Sequence, residues 1–239
     1  MKKKIAVFTG AGISVESGIE AFRSGDKALW ANHSVDEVAT PRGWKKDPEK
    51  VTQFYNDRRM QLASVNPNPA HEALAELESQ YDVTIITQNV DDLHERAGSS
   101  DVQHLHGDLK VVRSVVDPTE KYDYGYKPVN YELDRGKNNA RLRPDVVWFE
   151  EMPDERAVRT GYEAIYDCDI LLIIGTSLQI TYTVPMLSQA SLSSTVYYID
   201  PNPAHYLDVY SQKGQMPTIN YIRKDAVKGV CEVVNELMF

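Results

Sequence analysis

Residues 10–23 read Gly10-Ala11-Gly12-Ile13-Ser14-Val15-Glu16-Ser17-Gly18-Ile19-Glu20-Ala21-Phe22-Arg23, directly after the short apolar run Ile5 to Phe8. A glycine-rich turn between a strand and a helix is suited to cradle phosphate. Gly10 and Gly12 are expected to use positive φ, which lets backbone N–H groups approach a pyrophosphate while the helix N-terminus adds partial positive charge. The chain therefore begins like a nucleotide-binding protein. The usual dinucleotide fingerprint needs a third glycine where this chain has Val15, which argues against a plain dehydrogenase.

Outward from this turn, near-continuous apolar runs recur at Ile5 to Phe8, Val83 to Thr87, Ile170 to Ile174 and Val196 to Ile199. Strands buried on both faces have this character, so a parallel sheet is expected. Helical patterns lie between them at Pro69 to Gln80, Asp154 to Tyr166 and Ala226 to Met238, and the alternation predicts a doubly wound, Rossmann-like α/β fold. Two polar stretches interrupt it. One, about Ser24 to Pro67, includes a helix candidate over Glu49 to Val65; the other, Asp108 to Arg143, carries Tyr122, Tyr124, Tyr126 and Tyr131. The reading is a single domain over residues 1–239, with a large part (1–23, 68–107, 144–239) and a small module (24–67 and 108–143).

The chain has 239 residues, with 35 acidic against 26 basic side chains and a formal charge of −9. That balance disfavours the phosphate backbone of nucleic acid as a direct partner and suits basic proteins or peptides. Cys168 and Cys231 are far apart and sit in apolar stretches, so buried thiols in a reducing cytoplasm are expected rather than a disulfide framework. The apolar run after Lys2 to Lys4 stops at the glycine turn, unlike a signal peptide, and no run approaches the ~20 apolar residues of a membrane span. A cytoplasmic monomer without membrane contact is the expectation.

Further polar groups fall at strand ends, where open α/β sheets bind ligands. Thr87-Gln88-Asn89-Val90-Asp91 closes the strand Val83 to Ile86, Gly175-Thr176-Ser177 closes the strand Leu171 to Ile174, and His104-Leu105-His106-Gly107 follows another short apolar approach. Taken singly, Asn89, Asp91 and Thr176 are ordinary turn and helix caps. Their recurrence at one end of several strands points to a site.

In order and rough spacing, the glycine turn through Phe22-Arg23, Thr-Gln-Asn-Val-Asp, Leu-His-Gly, Pro144-Asp145-Val146-Val147-Trp148-Phe149 and Gly-Thr-Ser resemble the sirtuin family over Ile5 to about Ala226. The resemblance implies an NAD-consuming protein lysine deacylase whose protein substrate enters between the large and small parts. It places Gly10, Ala11, Gly12, Ser14 and Arg23 around the NAD pyrophosphate and ribose, and Phe22 over the glycosidic bond. Gln88, Asn89 and Val90 would line the nicotinamide ribose, with Asp91 accepting from the carboxamide. Gly175, Thr176 and Ser177 would meet phosphate and ribose oxygens, and Asp200, Asn202 and Ala226 the adenosine. His106 would be the catalytic base, working with Asn89, because an imidazole titrating near ~6.5 takes a hydroxyl proton near neutrality. His104 is read as a strand histidine facing packing or solvent. The implied chemistry is attack by the acyl oxygen on the carbon that loses nicotinamide, then capture of the acyl group as O-acyl-ADP-ribose. The acyl-lysine peptide would add to Val146, Val147, Trp148 and Phe149 as a strand.

The chain also departs from that family. Asp108 to Arg143 has neither cysteine nor histidine, so the usual four-thiolate zinc site has no ligands, no zinc is expected, and the four tyrosines are expected to form an apolar core in its place. Glu20 and Glu150 replace a common proline and glycine, and Asp145 adds an acid near the peptide strand. Tyr55 and Arg58, three apart on one helix face, resemble the acidic-acyl pair of the desuccinylase-like branch, in which a guanidinium pairs with a succinyl or malonyl carboxylate. Read without the family, they are a half-buried tyrosine beside a solvated arginine. An NAD glycohydrolase or mono-ADP-ribosyltransferase is the alternative among enzymes. An NAD-sensing module is the alternative outside them, although it would be expected to lack His106 or Asn89.

Overall fold

The computed structural model describes residues 2–19 and 34–239. Glu20, Phe22 and Arg23 lie outside them. The strands are β1 (Lys4–Thr9), β2 (Asp82–Thr87), β3 (Val102–His104), β4 (Gly107–Ser114), β5 (Lys121–Asp123), β6 (Leu142–Val146), β7 (Ile170–Ile174), β8 (Thr195–Ile199) and β9 (Ile219–Ile222). Six of them form a parallel sheet in the order β3-β2-β1-β7-β8-β9.

The continuous hydrophobicity of β1 resolves into two alternating sets. Ala6 and Phe8 enter one core with Ile86, Leu171, Ile173, Ile165 and Met186. Ile5 and Val7 enter the other with Ile85, Leu172, Leu74, Val230 and Val233. Helix Glu155–Tyr166 covers the first face, and helices Pro69–Leu77 and Ala226–Met238 cover the second. Caps set the helix starts. The Asp154 carboxylate accepts from the Ala157 N–H, and the Asn68 side-chain oxygen accepts from the Ala70 N–H ahead of Pro69.

The chain leaves β1 for β2 and β3 on one side and returns to β7, β8 and β9 on the other. A crevice therefore opens at the carboxyl ends of β1, β2 and β7, where such sheets hold their ligands.

The small antiparallel sheet runs β5-β4-β6, with Val112 opposite both Tyr122 and Pro144 and an irregularity in β4 between Gly107 and Val112. Helix Pro48–Ser64 packs near it. The tyrosine core is only partly as expected. Tyr122 and Tyr124 pack on Val112, Val129 and Leu142, but Tyr126 joins a different cluster and donates to Asp92 at 2.7 Å, while Tyr131 meets Trp44 edge-on beneath the Arg141 guanidinium. Polar clamps hold the module too. Asn56 brackets Val129, donating to its carbonyl and accepting its N–H, both at 2.8 Å. The fully buried Arg59 donates to Leu109 O and Asn56 Oδ1. Among the described residues no three His, Cys, Asp or Glu side chains gather as a metal group.

Candidate active site

Parallel register places Thr9 opposite both Thr87 and Ile174, so the loops that follow these three strands start side by side. The Gly10 N–H donates to Ile174 O at 3.0 Å and the Gly12 N–H to Gly175 O at 2.9 Å. A Cβ on Gly10 would lie 2.7 Å from Gly175 O, and one on Gly12 would lie 2.5 Å from Gly175 Cα. Both positions therefore need glycine for close approach of two backbones, and the expectation of positive φ is corrected: Gly10 has φ −119, and neither glycine is among those with positive φ. The left-handed glycines of the first and third loops are Gly18, which ends a 3-10 helix over Ala11–Ser17, and Gly175 across the crevice.

The second loop is tied to the first and the third. Asn89 Nδ2 donates to Gly10 O and Ser14 Oγ at 3.2 Å, the Ser14 hydroxyl donates to Asp91 at 3.0 Å, and the Thr176 hydroxyl donates to Gln88 Oε1 at 2.9 Å. Burial lifts the Asp91 carboxyl to about 6, against the bonds from Leu93 N–H and Ser14. The Val90 carbonyl accepts from Leu109 N, which joins this loop to β4. Ala11 is half-buried and Ser177 is exposed at the mouth. Asp200 directly follows β8 and accepts from Asn202 N at 2.7 Å; burial raises its carboxyl. The Ala226 methyl is packed in the core, and the next residue's N–H donates to Glu16, which ties the first loop to the last helix.

Two histidines pin the second loop from below. His106 Nδ1 lies 2.8 Å from Gln88 O and His104 Nδ1 lies 3.1 Å from Asn89 O. A carbonyl only accepts, so each Nδ1 carries a proton. Burial lowers the His106 pKa, which leaves it neutral with Nε2 unprotonated. His104 corrects the reading of a packing or solvent-facing residue, since its Nε2 meets Glu95 Oε1 at 2.7 Å. Burial opposes charge there, but the carboxylate outweighs it and the net shift is upward. Both faces of His104 meet acceptors, so satisfying both requires the imidazolium. A deeper pair, His71 and His94, lies with ring centroids 4.9 Å apart, and burial holds both neutral. His94 Nε2 reaches Thr9 Oγ1 at 3.1 Å, and the Thr9 hydroxyl donates to Thr87 Oγ1, which also accepts from Asn89 N.

Sequence reasoning missed His104, Glu95 and Tyr182, whose hydroxyl lies 2.6 Å from His106 Nε2. The i, i+2 spacing of the two histidines was the available signal for His104; nothing local marked the other two.

On the small-module side, Tyr55 is buried with Phe54, Val146 and Trp148, and Trp148 Nε1 donates to its hydroxyl at 2.9 Å. Arg58 lies with its guanidinium carbon 5.1 Å from the Phe54 ring centroid and donates to Gln61 at 3.3 Å, while its buried Nε has no hydrogen-bond partner among the described residues. The peptide strand is shorter than expected, because β6 ends at Val146. The N–H groups beyond it are engaged: Val147 with His106 O, Trp148 with Glu151, and Phe149 with Ala39 O. Asp145 lies within β6, near the peptide strand as expected, but its carboxylate is paired. It is buried against Lys121 at 2.8 Å and Arg113 at 3.4 Å, and Glu150 pairs with Arg42 at 2.6 Å.

Comparison with known proteins agrees with this arrangement. The Sir2 family model matches residues 10–182. An NAD-dependent protein deacylase of Helicobacter pylori is 50% identical over 199 residues, covering 83% of this chain and 85% of the relative. One of Bacteroides thetaiotaomicron is 44% identical over 235 residues, covering 97% and 96%. Among solved structures, a Sir2 homolog–NAD complex is 34% identical with a TM-score of 0.83, covering 99% of this chain and 90% of that one. With a strand-end crevice of this composition and likeness over nearly its whole length, the chain belongs to the Sir2 family.

Proposed function

We propose that this chain is an NAD-dependent protein lysine deacylase acting on acetyl-lysine and on succinyl- or malonyl-lysine. The observation that carries the reading is the meeting of neutral His106 with the Gln88, Asn89 and Asp91 side-chain loop at the sheet's switch point. The glycine-only contact of the first and third loops fits a dinucleotide, because it leaves the crevice floor built of backbone. Gly10, Ala11, Gly12, Ser14, Gly175, Thr176 and Ser177 would hold the phosphates and adjacent ribose, and Asp200, Asn202 and Ala226 the adenosine end. NAD, when bound, supplies the ribose carbon that loses nicotinamide and the hydroxyls that receive the acyl group.

Asn89 orients that ribose, held in turn by its own bonds to Gly10 O and Ser14. Asp91 accepts from the nicotinamide carboxamide, and His106 Nε2 takes the proton of a ribose hydroxyl. The acylated peptide pairs along β6, which has a single strand neighbour in its sheet among the described residues, and the apolar Val146 and Trp148 wall the acyl-lysine channel.

Support for acidic acyl groups is that Arg58 keeps a buried Nε–H unpaired among the described residues and that the Tyr55 hydroxyl, accepting from Trp148, retains its own proton to donate. Losing the partner of a desolvated carboxylate costs about 2–5 kcal/mol. Arg58→Met should therefore cut succinyl-lysine turnover by orders of magnitude and acetyl-lysine turnover several-fold at most, with Tyr55→Phe intermediate. Mass spectrometry of the products from NAD with acetyl-, succinyl- and malonyl-lysine peptides tests both levels. O-acyl-ADP-ribose is expected; free ADP-ribose or an ADP-ribosylated peptide alone would favour the glycohydrolase or transferase reading. Equal losses on both acyl groups, or no succinyl activity in the unmodified protein, would overturn the acidic-acyl assignment.

A further inference from the structure

The proton-accepting face of His106 is already occupied. Because Nδ1 is the protonated nitrogen, Nε2 bears the ring's single in-plane lone pair, and the Tyr182 hydroxyl 2.6 Å away donates to it. One lone pair takes one strong donor. A substrate hydroxyl that gives its proton to Nε2 and a Tyr182 hydroxyl bonded to Nε2 therefore exclude each other.

We propose that Tyr182 is a positioning residue that latches His106 in the resting enzyme and is displaced by the ribose hydroxyl before the base can act. The inference rests on His106 being the base. The latch is built to release through the side chain. The Tyr182 backbone is fixed, its carbonyl accepting from Met186 N at 3.1 Å as the helix Thr183–Leu187 begins, and its ring is half-buried on the core. Its hydroxyl has His106 as its sole hydrogen-bond partner among the described residues, so one bond is broken when the ring turns away. The two rings meet edge to face, 6.2 Å apart at 77°, a contact that tolerates a small rotation of either. While closed, the latch holds the imidazole in the tautomer the reaction needs and blocks other proton donors from Nε2.

The test is a double-mutant cycle on the binding of ADP-ribose, which carries the ribose hydroxyls without the scissile bond, measured by calorimetry. Tyr182→Phe should tighten ADP-ribose about 2- to 10-fold, the worth of one hydrogen bond no longer broken. In the His106→Ala background the same substitution should change binding by less than about 2-fold. The 15N resonance of His106 Nε2 should move on Tyr182→Phe in the ligand-free protein, and much less on that substitution in the ADP-ribose complex. Unchanged or weaker ADP-ribose binding in a Tyr182→Phe protein of normal melting temperature would overturn the latch, as would a gain that persists without His106. These readouts need no turnover, so a wild-type protein inactive on acyl-lysine peptides would refute the functional reading separately.

Discussion

Asp91→Asn should make the protein more stable and less useful. Asp91 is 7% exposed, and burial raises its carboxyl from an ordinary 3.8 to about 6, even with donors at Leu93 N and Ser14 Oγ. The folded state thus holds a proton between these values that the unfolded chain has released, so stability from this group is full below pH ~4 and is lost as pH rises through 6. At about 1.4 kcal/mol per pH unit, the loss amounts to about 3 kcal/mol above pH 7. Asparagine keeps the shape and an acceptor for Leu93 N–H but weakens the bond from Ser14, at a cost of about 1 kcal/mol. The net expectation at pH 7.5 is a gain of about 2 kcal/mol, or roughly 4–8 °C in melting temperature for a chain of this size. At pH 4 the gain should vanish. Urea denaturation of both proteins at the two pH values measures this, alongside NAD turnover, which should fall by orders of magnitude. A variant no more stable at pH 7.5, or equally stabilised at both pH values, would refute the account of a buried charge kept for binding.

His106→Ala should bring NAD-dependent deacylation to background with the circular dichroism spectrum unchanged, whereas His104→Ala should act mainly as a several-fold rise in KM for NAD, because it loosens Asn89 without touching the base; kinetics showing His104 to be the essential residue would reverse the assignment. Arg59→Met should lower stability. Two bonds from a charged donor, about 1.5–3 kcal/mol each, are lost to Leu109 O and Asn56, while removing a cation whose burial brings its pKa down to about 10 returns about 3 kcal/mol, so the net loss is about 0–3 kcal/mol, read from the urea midpoint. A stability above that of the wild type would mean that Arg59 is no clamp.

The parallel sheet was legible because burial on both faces leaves a plain trace: Ile5, Ala6, Val7 and Phe8 are all apolar although alternate residues serve different cores. Helix starts were legible at Asp154 and at Asn68-Pro69, where the capping chemistry is local. The edge strands β3 and β9 were not, since they are short and only partly covered, and the small sheet mixes Lys110, Arg113 and a bulge into its pattern, which removes the alternation that would announce it. The site divides the same way. Residues such as Asn89 and His106 stand out by type at strand ends, but Tyr182 lies 76 positions from His106, and Ser14 lies 77 from Asp91. Those contacts depend on which strands are neighbours and in what register. Sliding β2 by two residues along β1 would preserve every inward-facing side chain and yet carry Asn89 about two residues, roughly 6–7 Å, from Gly10. The observed pairing of Thr9 with Thr87 is fixed instead by polar contacts at the strand end: the Thr9 hydroxyl donates to Thr87, which accepts from Asn89 N, while the Gln88 N–H donates to Thr9 O. The groups that align the strands are thus adjacent to those that line the crevice, so substitutions at Thr9 or Thr87 act on register and on ligand geometry together.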